Sequence, residues 1–140
     1  ADEVFDGSIQ DNVAIGHPEI SPGEVRAALA SVGLLDEVQR LPDGLETRLR
    51  GRGSPLSAGQ VRRLVLARAV ASRPRLLVLD EVLDTLSIAD RQAIWRVVNA
   101  PDAPWTLLVL TWQPAVAALC QQTWTLDDGQ LRPASRMEGA

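Results

Sequence analysis

Lysine is absent from this sequence, and all 14 of its basic residues are arginines. Without lysine there is no Schiff-base chemistry, and no phosphate loop of the G-x-x-x-x-G-K-[ST] type. His17 and Cys120 are the only histidine and the only cysteine. One residue of each kind excludes an internal disulfide and a zinc site built from clustered cysteines and histidines. Several kinds of catalytic and metal site are therefore excluded within these 140 residues.

Basic charge and long apolar segments are also scarce. The net charge is −4 and the isoelectric point is about 4.9, so we expect no nucleic-acid partner, which would favour a basic surface. Apolar runs such as residues 76–79 are far shorter than the roughly 20 residues that span a bilayer. The 46% of hydrophobic and 23% of charged residues indicate one globular domain. Because the chain opens at Ala1 without an initiator methionine, we expect a piece of a longer protein.

The first part of the chain, residues 10–56, is predicted to be mostly helical. Residues 21–24 read Ser-Pro-Gly-Glu, which combines a cap serine, a proline at the first helical position and an acid three residues after the cap. Gly33 stands where that helix would end, and a second helix is predicted over residues 36–41. Residues 48–55 carry three arginines and two glycines, which predicts a loop.

The second part alternates helices with short apolar runs. Residues 76–80 are four apolar residues and an acid, a pattern typical of a strand buried on both faces of a parallel sheet, and residues 106–111 repeat the apolar run. This order predicts an α/β fold with right-handed crossovers. The other predicted elements are helices over residues 57–71, 88–98 and 114–120, a hairpin around the Asp128-Gly129 turn, and a polar tail over residues 133–140.

Two places carry candidate chemistry. Ser57, Ala58, Gly59 and Gln60 open the longest helix, where unpaired N–H groups and the helix dipole favour an anion such as phosphate. The alternative is an ordinary cap serine followed by a flexible glycine. Asp80 and Glu81 end a predicted parallel strand, where an acid can hold Mg²⁺ and the next acid can polarise a water. The alternative there is a solvated strand end.

Taken together and in this order, the two features resemble the C-terminal portion of an ABC-transporter nucleotide-binding domain of the exporter type. Residues 56–60 resemble the family signature, and residues 76–81 resemble its Walker B strand. Residues 5–13 are similar to the stretch after the Q-loop, and residues 41–47 to the stretch before the signature. The resemblance implies a helical signature subdomain plus the distal half of a RecA-like (P-loop NTPase) parallel sheet with a terminal β-hairpin. Gly129 fits that hairpin.

The resemblance also implies roles, with ATP and Mg²⁺ as cofactors. Asp80 would hold Mg²⁺ through water, and Glu81 would activate the attacking water. The four signature residues 57–60 would contact ATP bound to the opposite subunit. The partners would be a second nucleotide-binding domain, in a heterodimer, and a transmembrane domain, at the cytoplasmic face of the cell membrane. The parent would be an ATPase coupled to export. The 140 residues alone are expected to be inactive, because the phosphate loop would lie upstream.

The sequence departs from the family pattern at several positions. Trp112 stands at the position of the switch histidine, and Ser87 ends the D-loop where an aspartate is usual, with Asp84 three residues earlier. Ala58 replaces a signature glycine, and Arg50-Gly51 replaces a Gly-Glu pair, which puts the usual contacts to the membrane domain in doubt.

These departures leave alternatives open. The chain could be a catalytically degenerate module that completes a partner's ATP site or regulates without turnover. An ABC ATPase acting on nucleic acid has less support, because the chain is acidic. Trp112 could also simply pack under the end of its strand.

Overall fold

The computed structural model describes residues 4–51 and 53–134. The predicted tail over residues 133–140 is partly wrong, because Pro133 belongs to a strand and the N–H of Ala134 donates to the carbonyl of Thr123 at 2.9 Å. The rest of that tail lies outside the described residues.

Short helices form the first part of the chain. They are α1 (Ile9–Val13), α2 (Pro22–Ser31) and α3 (Leu35–Gln39). Ser21 caps α2 as its pattern predicts, and Gly33 follows the end of that helix with a φ of +68°, a left-handed conformation that favours glycine. Local cap chemistry therefore fixes where α2 begins and where it ends.

A small antiparallel sheet joins the two ends of this first part. Strand β1 (Gly7–Ser8) pairs with β2 (Arg48–Leu49), with Gly7 opposite Leu49. The prediction of a loop over residues 48–55 is therefore wrong at its start. The physical reason is burial, because the Leu49 side chain is almost fully enclosed in the core and draws its backbone against β1.

The longest helix, α4 (Ala58–Ala71), packs against α1 and α2 through buried residues such as Leu64. Arg68 links α4 to the start of the chain. Its Nε donates to the carbonyl of Asn12 at 2.6 Å, and its guanidinium lies 5.0 Å from the centre of the Phe5 ring. The buried Asn12 amide donates in turn to the carbonyls of Phe5 and Ser8, both at 2.9 Å. These contacts hold α4 in place on the first part of the chain.

Two parallel strands follow α4, joined through a helix as predicted. They are β3 (Leu76–Asp80) and β4 (Thr106–Leu110), with α5 (Ile88–Val98) between them. The prediction that these strands are buried on both faces is wrong for the described chain. Leu77 and Leu79 are buried, whereas Val78 is 47% exposed and Leu108 is 49% exposed. The core cluster lies against one face only, so alternate side chains of each strand face outward.

The last elements are α6 (Pro114–Ala117) and a hairpin of β5 (Trp124–Asp127) and β6 (Gln130–Pro133). Asp128 and Gly129 both have positive φ, as a two-residue hairpin turn of type I′ requires. The predicted helix over 114–120 is too long, because the N–H groups of Leu119 and Cys120 bond three residues back and tighten the chain into turns. The fold is α/β, as predicted. No helix within the described ranges is long and apolar enough to cross a bilayer.

Candidate functional site

The start of α4 is an open helix N-terminus. Ser57 caps it, with its Oγ accepting from the N–H of Gln60 at 3.3 Å while the Gln60 Oε1 accepts from the N–H of Ser57 at 2.7 Å. This reciprocal pair is a capping box, so the cap function of Ser57 is present. Ser57, Ala58 and Gly59 are all exposed. The cap and the proposed anion contact are compatible, because the cap leaves this end of the helix open to solvent.

Two backbone donors remain available at that start. Among the described residues, the N–H groups of Ala58 and Gly59 have no acceptor. A Cβ built on Gly59 would have nothing within 4 Å, so the space above this turn is open. The first turn carries no acidic side chain. Free N–H groups, the positive end of the dipole and open space together fit a phosphate group.

The Gln60 amide is fixed by a contact that sequence reasoning missed. Its Nε2 donates to Glu37 Oε2 at 2.5 Å, and the other oxygen of Glu37 pairs with Arg63 at 2.9 Å. The bond from Gln60, followed by that from Arg63, holds the pKa of the Glu37 carboxyl below its ordinary value. No local signal predicts this cluster, because Gln60 and Glu37 are 23 residues apart in sequence.

Asp80 and Glu81 lie at the carboxyl end of β3, and both are exposed. Glu81 has a φ of +55°, unusual for a residue other than glycine, and its N–H donates to the carbonyl of Leu110 at 3.0 Å. Neither carboxylate has a side-chain hydrogen bond or ion pair with any residue that the structure describes. Both acids are therefore free to take a ligand.

The donor set at this strand end fits Mg²⁺ held together with a phosphate ligand. The described part of the chain contains no group of three or more His, Cys, Asp or Glu side chains that could hold a metal ion. Mg²⁺ commonly takes only one or two carboxylates and completes its shell with waters and substrate phosphates. Asp80 is such a carboxylate, and Glu81 beside it can accept a proton from a water.

Trp112 follows β4, and its side chain is 67% exposed. The alternative that this indole packs under the strand end is therefore wrong for the described chain. Ser87 acts as the N-cap of α5, with its Oγ accepting from the N–H of Asp90 at 3.1 Å and donating to the Asp90 carboxylate at 2.7 Å.

The parallel strands bring one group of candidate residues together. In their register Asp80 lies opposite Leu110, so Asp80, Glu81 and Trp112 share one edge of the strand pair. No described hydrogen bond joins the start of α4 to that edge. Gly59 instead lines a cavity of about 130 Å³ together with residues near the start of α5, including Leu86 and Asp90. Within this chain the predicted residues therefore form two separate clusters.

An open helix N-terminus together with an acid pair after a parallel strand is typical of α/β proteins that bind phosphate groups. The chain belongs to the ABC transporter family, whose family model matches residues 3–84. That match extends from the first residues of the chain through α4 to the turn after β3.

Individual relatives are similar over most of this chain. The multidrug efflux ATP-binding/permease protein of Mycobacterium bovis is 32% identical over 128 residues, covering 91% of this chain and 11% of the relative. Human antigen peptide transporter 2 is 31% identical over 134 residues, covering 96% of this chain and 19% of the relative.

A solved structure is similar as well. A bacterial Atm1-family ABC exporter with ATP bound superposes with a TM-score of 0.81 at 30% identity, covering 91% of this chain and 22% of the exporter chain. The chain thus spans between about a tenth and a fifth of the length of these relatives. The resemblance to exporter nucleotide-binding domains is confirmed.

Proposed function

We propose that this chain is part of the ATP-binding and ATP-hydrolysing domain of an exporter, which couples ATP binding and hydrolysis to transport across the membrane. The observation that carries the proposal is the exposed Asp80-Glu81 pair, free of side-chain partners among the described residues, at the end of β3. The names of the relatives support it, since they include efflux and peptide transporters. These names favour an ATPase of a transporter over a module that only regulates.

The roles follow from the chemistry of each group. Asp80 would hold Mg²⁺ through water, and Glu81 would accept the proton of the attacking water. Bound Mg²⁺ and ATP supply the charge neutralisation and the phosphoryl group that phosphoryl transfer requires. This chain's residues orient the water and receive its proton.

The signature cluster is proposed to act on a second subunit. The open start of α4 does not join the Asp80 edge within this chain, which supports a composite site in which residues 57–60 contact ATP held by the opposite nucleotide-binding domain. The free N–H groups of Ala58 and Gly59 are the donors for that contact. The further partner is the transmembrane domain, which would place this chain at the cytoplasmic face of the cell membrane.

Trp112 is proposed to slow the site formed on this chain's own strands. An indole has one N–H donor and no acceptor, so it cannot replace a histidine that both donates and accepts. Misplacing one catalytic group lowers a rate by about a hundredfold. A partner with a complete set would then carry most turnover in a heterodimer, using the signature of this chain.

The first test compares Glu81→Gln with the equivalent change in the partner subunit of the assembled transporter. We expect the partner change to remove most ATP turnover and Glu81→Gln to remove a small part, because this chain's site is the slow one. If Glu81→Gln alone abolishes turnover and the partner change is tolerated, the slow site belongs to the other subunit.

The second test restores the missing chemistry. In a transporter whose partner site is disabled, Trp112→His should raise the remaining turnover by up to about a hundredfold. Trp124→His is the matched control, because Trp124 is also an exposed tryptophan but lies on the terminal hairpin. Equal turnover in all three proteins would contradict the role assigned to Trp112.

The third test concerns the 140 residues by themselves. Because they contain no lysine, they lack the lysine that cradles the β- and γ-phosphates in phosphate-loop proteins. We expect calorimetry with Mg-ATP to detect no micromolar binding to this polypeptide. Micromolar affinity would show that phosphate binding does not need a segment from outside these residues.

A further inference from the structure

The two loops at the carboxyl ends of β3 and β4 are tied together by one buried carboxylate. Asp84 lies in the turn after Glu81, with only 5% of its surface exposed. One of its oxygens accepts from the hydroxyl of Thr111, and the other accepts from the backbone N–H of Trp112 at 3.2 Å. Its own N–H donates to the carbonyl of Glu81 at 3.1 Å. Asp84 therefore contacts both the turn that carries Glu81 and the loop that carries Trp112.

Two further side chains close this network. The side-chain Nε2 of Gln113 donates to the backbone carbonyl of Asp84 at 2.5 Å. The backbone N–H of Gln113 donates to the Thr111 hydroxyl at 3.0 Å. Arg91 on α5 donates to the side-chain Oε1 of Gln113 at 3.0 Å and to the backbone carbonyl of Leu83 at 3.1 Å. Each loop is thus bonded to the other and to the same arginine.

The cost of leaving buried polar groups without partners keeps the Trp112 loop against the turn that contains Asp84. A buried carboxylate is tolerated only when hydrogen bonds replace its hydration, and removing an acceptor leaves buried donors unmet. The donors to Asp84 come from one loop, so the loop cannot move away from the turn without exposing or orphaning the carboxylate. A side chain with one acceptor oxygen cannot serve both donors equally well.

We propose that Asp84 is a positioning residue for ATP hydrolysis, which fixes the Trp112 loop relative to the turn that carries Glu81. This inference rests on the proposed function, because it assigns Asp84 to the site where Glu81 would accept the proton of the attacking water. Asp84 itself does not touch the reacting atoms. It acts by holding two backbone segments at one fixed separation.

The test uses the full-length transporter with the partner site disabled, so that the measured turnover comes from this chain's site. Asp84→Asn should lower kcat about tenfold and leave KM for ATP within about twofold, since positioning affects the chemical step more than nucleotide binding. Exchange of the Trp112 amide hydrogen should become at least about tenfold faster, while the amides of α4 keep their protection. Asp102→Asn, an exposed acid in the loop after α5, is the matched control.

A milder pair of variants covers the case in which Asp84→Asn fails to fold. Thr111→Val removes one donor to Asp84, whereas Thr111→Ser keeps the hydroxyl, so the valine variant should show the loss of kcat and the serine variant should recover it.

Two results would overturn the proposal. One is an unchanged kcat despite faster exchange at Trp112, and the other is unchanged exchange. A failure of the proposed function itself would give a different result from a failure of the Asp84 proposal. The unmutated transporter would then show no ATP hydrolysis even with both sites intact, while the exchange measurement would still report whether Asp84 holds the loop.

Discussion

The starts of α2 and α4 are built on the same plan, yet they differ in the features that matter for an anion. Both have a cap serine, a glycine at the second helical position and a reciprocal capping box. At α2 the third helical residue is Glu24, whose carboxylate accepts from the N–H and the hydroxyl of Ser21. At α4 the third residue is the neutral Gln60.

The first helical position adds a second difference. Pro22 has no N–H to offer at the start of α2, whereas Ala58 has one at the start of α4. The α2 end thus carries an acid in its own first turn, while the acid that reaches Gln60 at the α4 end, Glu37, comes from another helix and is paired with Arg63. A capping box is present at both helix starts, so it does not by itself mark a binding site. The residue at the third helical position and the free N–H donors are what distinguish the proposed phosphate site at α4 from the start of α2.

The largest expected effect comes from placing a cation on the phosphate position. In the assembled transporter, Ser57→Arg should lower ATP hydrolysis by about a hundredfold or more, because the new side chain would occupy the space of the phosphate. Ser21→Arg is the matched control, and both variants lose a cap worth about 1 kcal/mol. ATPase rates and unfolding midpoints of both variants check this prediction. Equal ATPase rates in the two variants would contradict a phosphate contact at the start of α4.

A smaller effect is expected from adding one methyl group at each helix start. Gly59→Ala should lower hydrolysis about tenfold, because a Cβ there would enter the open space in which the proposed phosphate contact would form. Gly23→Ala should leave hydrolysis unchanged. Both variants should be as stable as the parent or more stable by up to about 1 kcal/mol, since alanine is the better helix former. A loss of activity that tracks a loss of stability would point to misfolding instead.

A still smaller effect is expected from giving α4 the acid that α2 has. Gln60→Glu should weaken nucleotide affinity a few-fold by placing a negative charge at the helix start. The double variant Gln60→Glu/Glu37→Gln removes the local repulsion between the two acids and should keep that weakening. If the double variant binds nucleotide like the parent, the single variant acted through Glu37 rather than through the ligand.

The smallest effect is a difference in acid sensitivity. Hydrogen bonds from the side chain and then the backbone of Ser21 hold the pKa of Glu24 below its ordinary value of 4.5. A lowered folded-state pKa contributes stability above the unfolded value, and that contribution is lost as the pH falls through the folded-state value. The unfolding midpoint should therefore drop on acidification below about pH 4.5. In Glu24→Gln the unfolding midpoint should fall less on acidification than it does in the parent. Gln39→Glu, at an exposed position on α3, should not reduce that fall.

Much of the local structure around the candidate site residues could be predicted, because its signals lie within a few residues of one another. The starts of α2 and α4 follow from cap chemistry within four residues, and the acid pair follows from the apolar run before it. Burial could not be predicted in the same way. The apolar run of β3 indicates that its side chains are suited to a buried strand. The exposure of Val78, however, depends on which elements lie against each face of the strand, and the run itself does not show that.

The contacts that fix the site were also missed, for a related reason. Gln60 meets Glu37 across 23 residues, and Asp84 meets Thr111 across 27. Such pairs depend on how helices and loops pack, and no periodicity or cap pattern in the sequence encodes them. The sequence marks Asp84 only as an acid three residues before the D-loop position where an aspartate is usual, which does not indicate its partners Thr111 and Trp112.

Nucleotide trapping in the Ser57→Arg transporter shows which of its two ATP sites depends on the start of α4. We expect nucleotide to be lost from the site held by the partner subunit and kept at the site formed by this chain's Asp80 and Glu81. Ser21→Arg should trap nucleotide at both sites. Loss of nucleotide only at this chain's own site would contradict the claim that its signature completes the site of the opposite subunit.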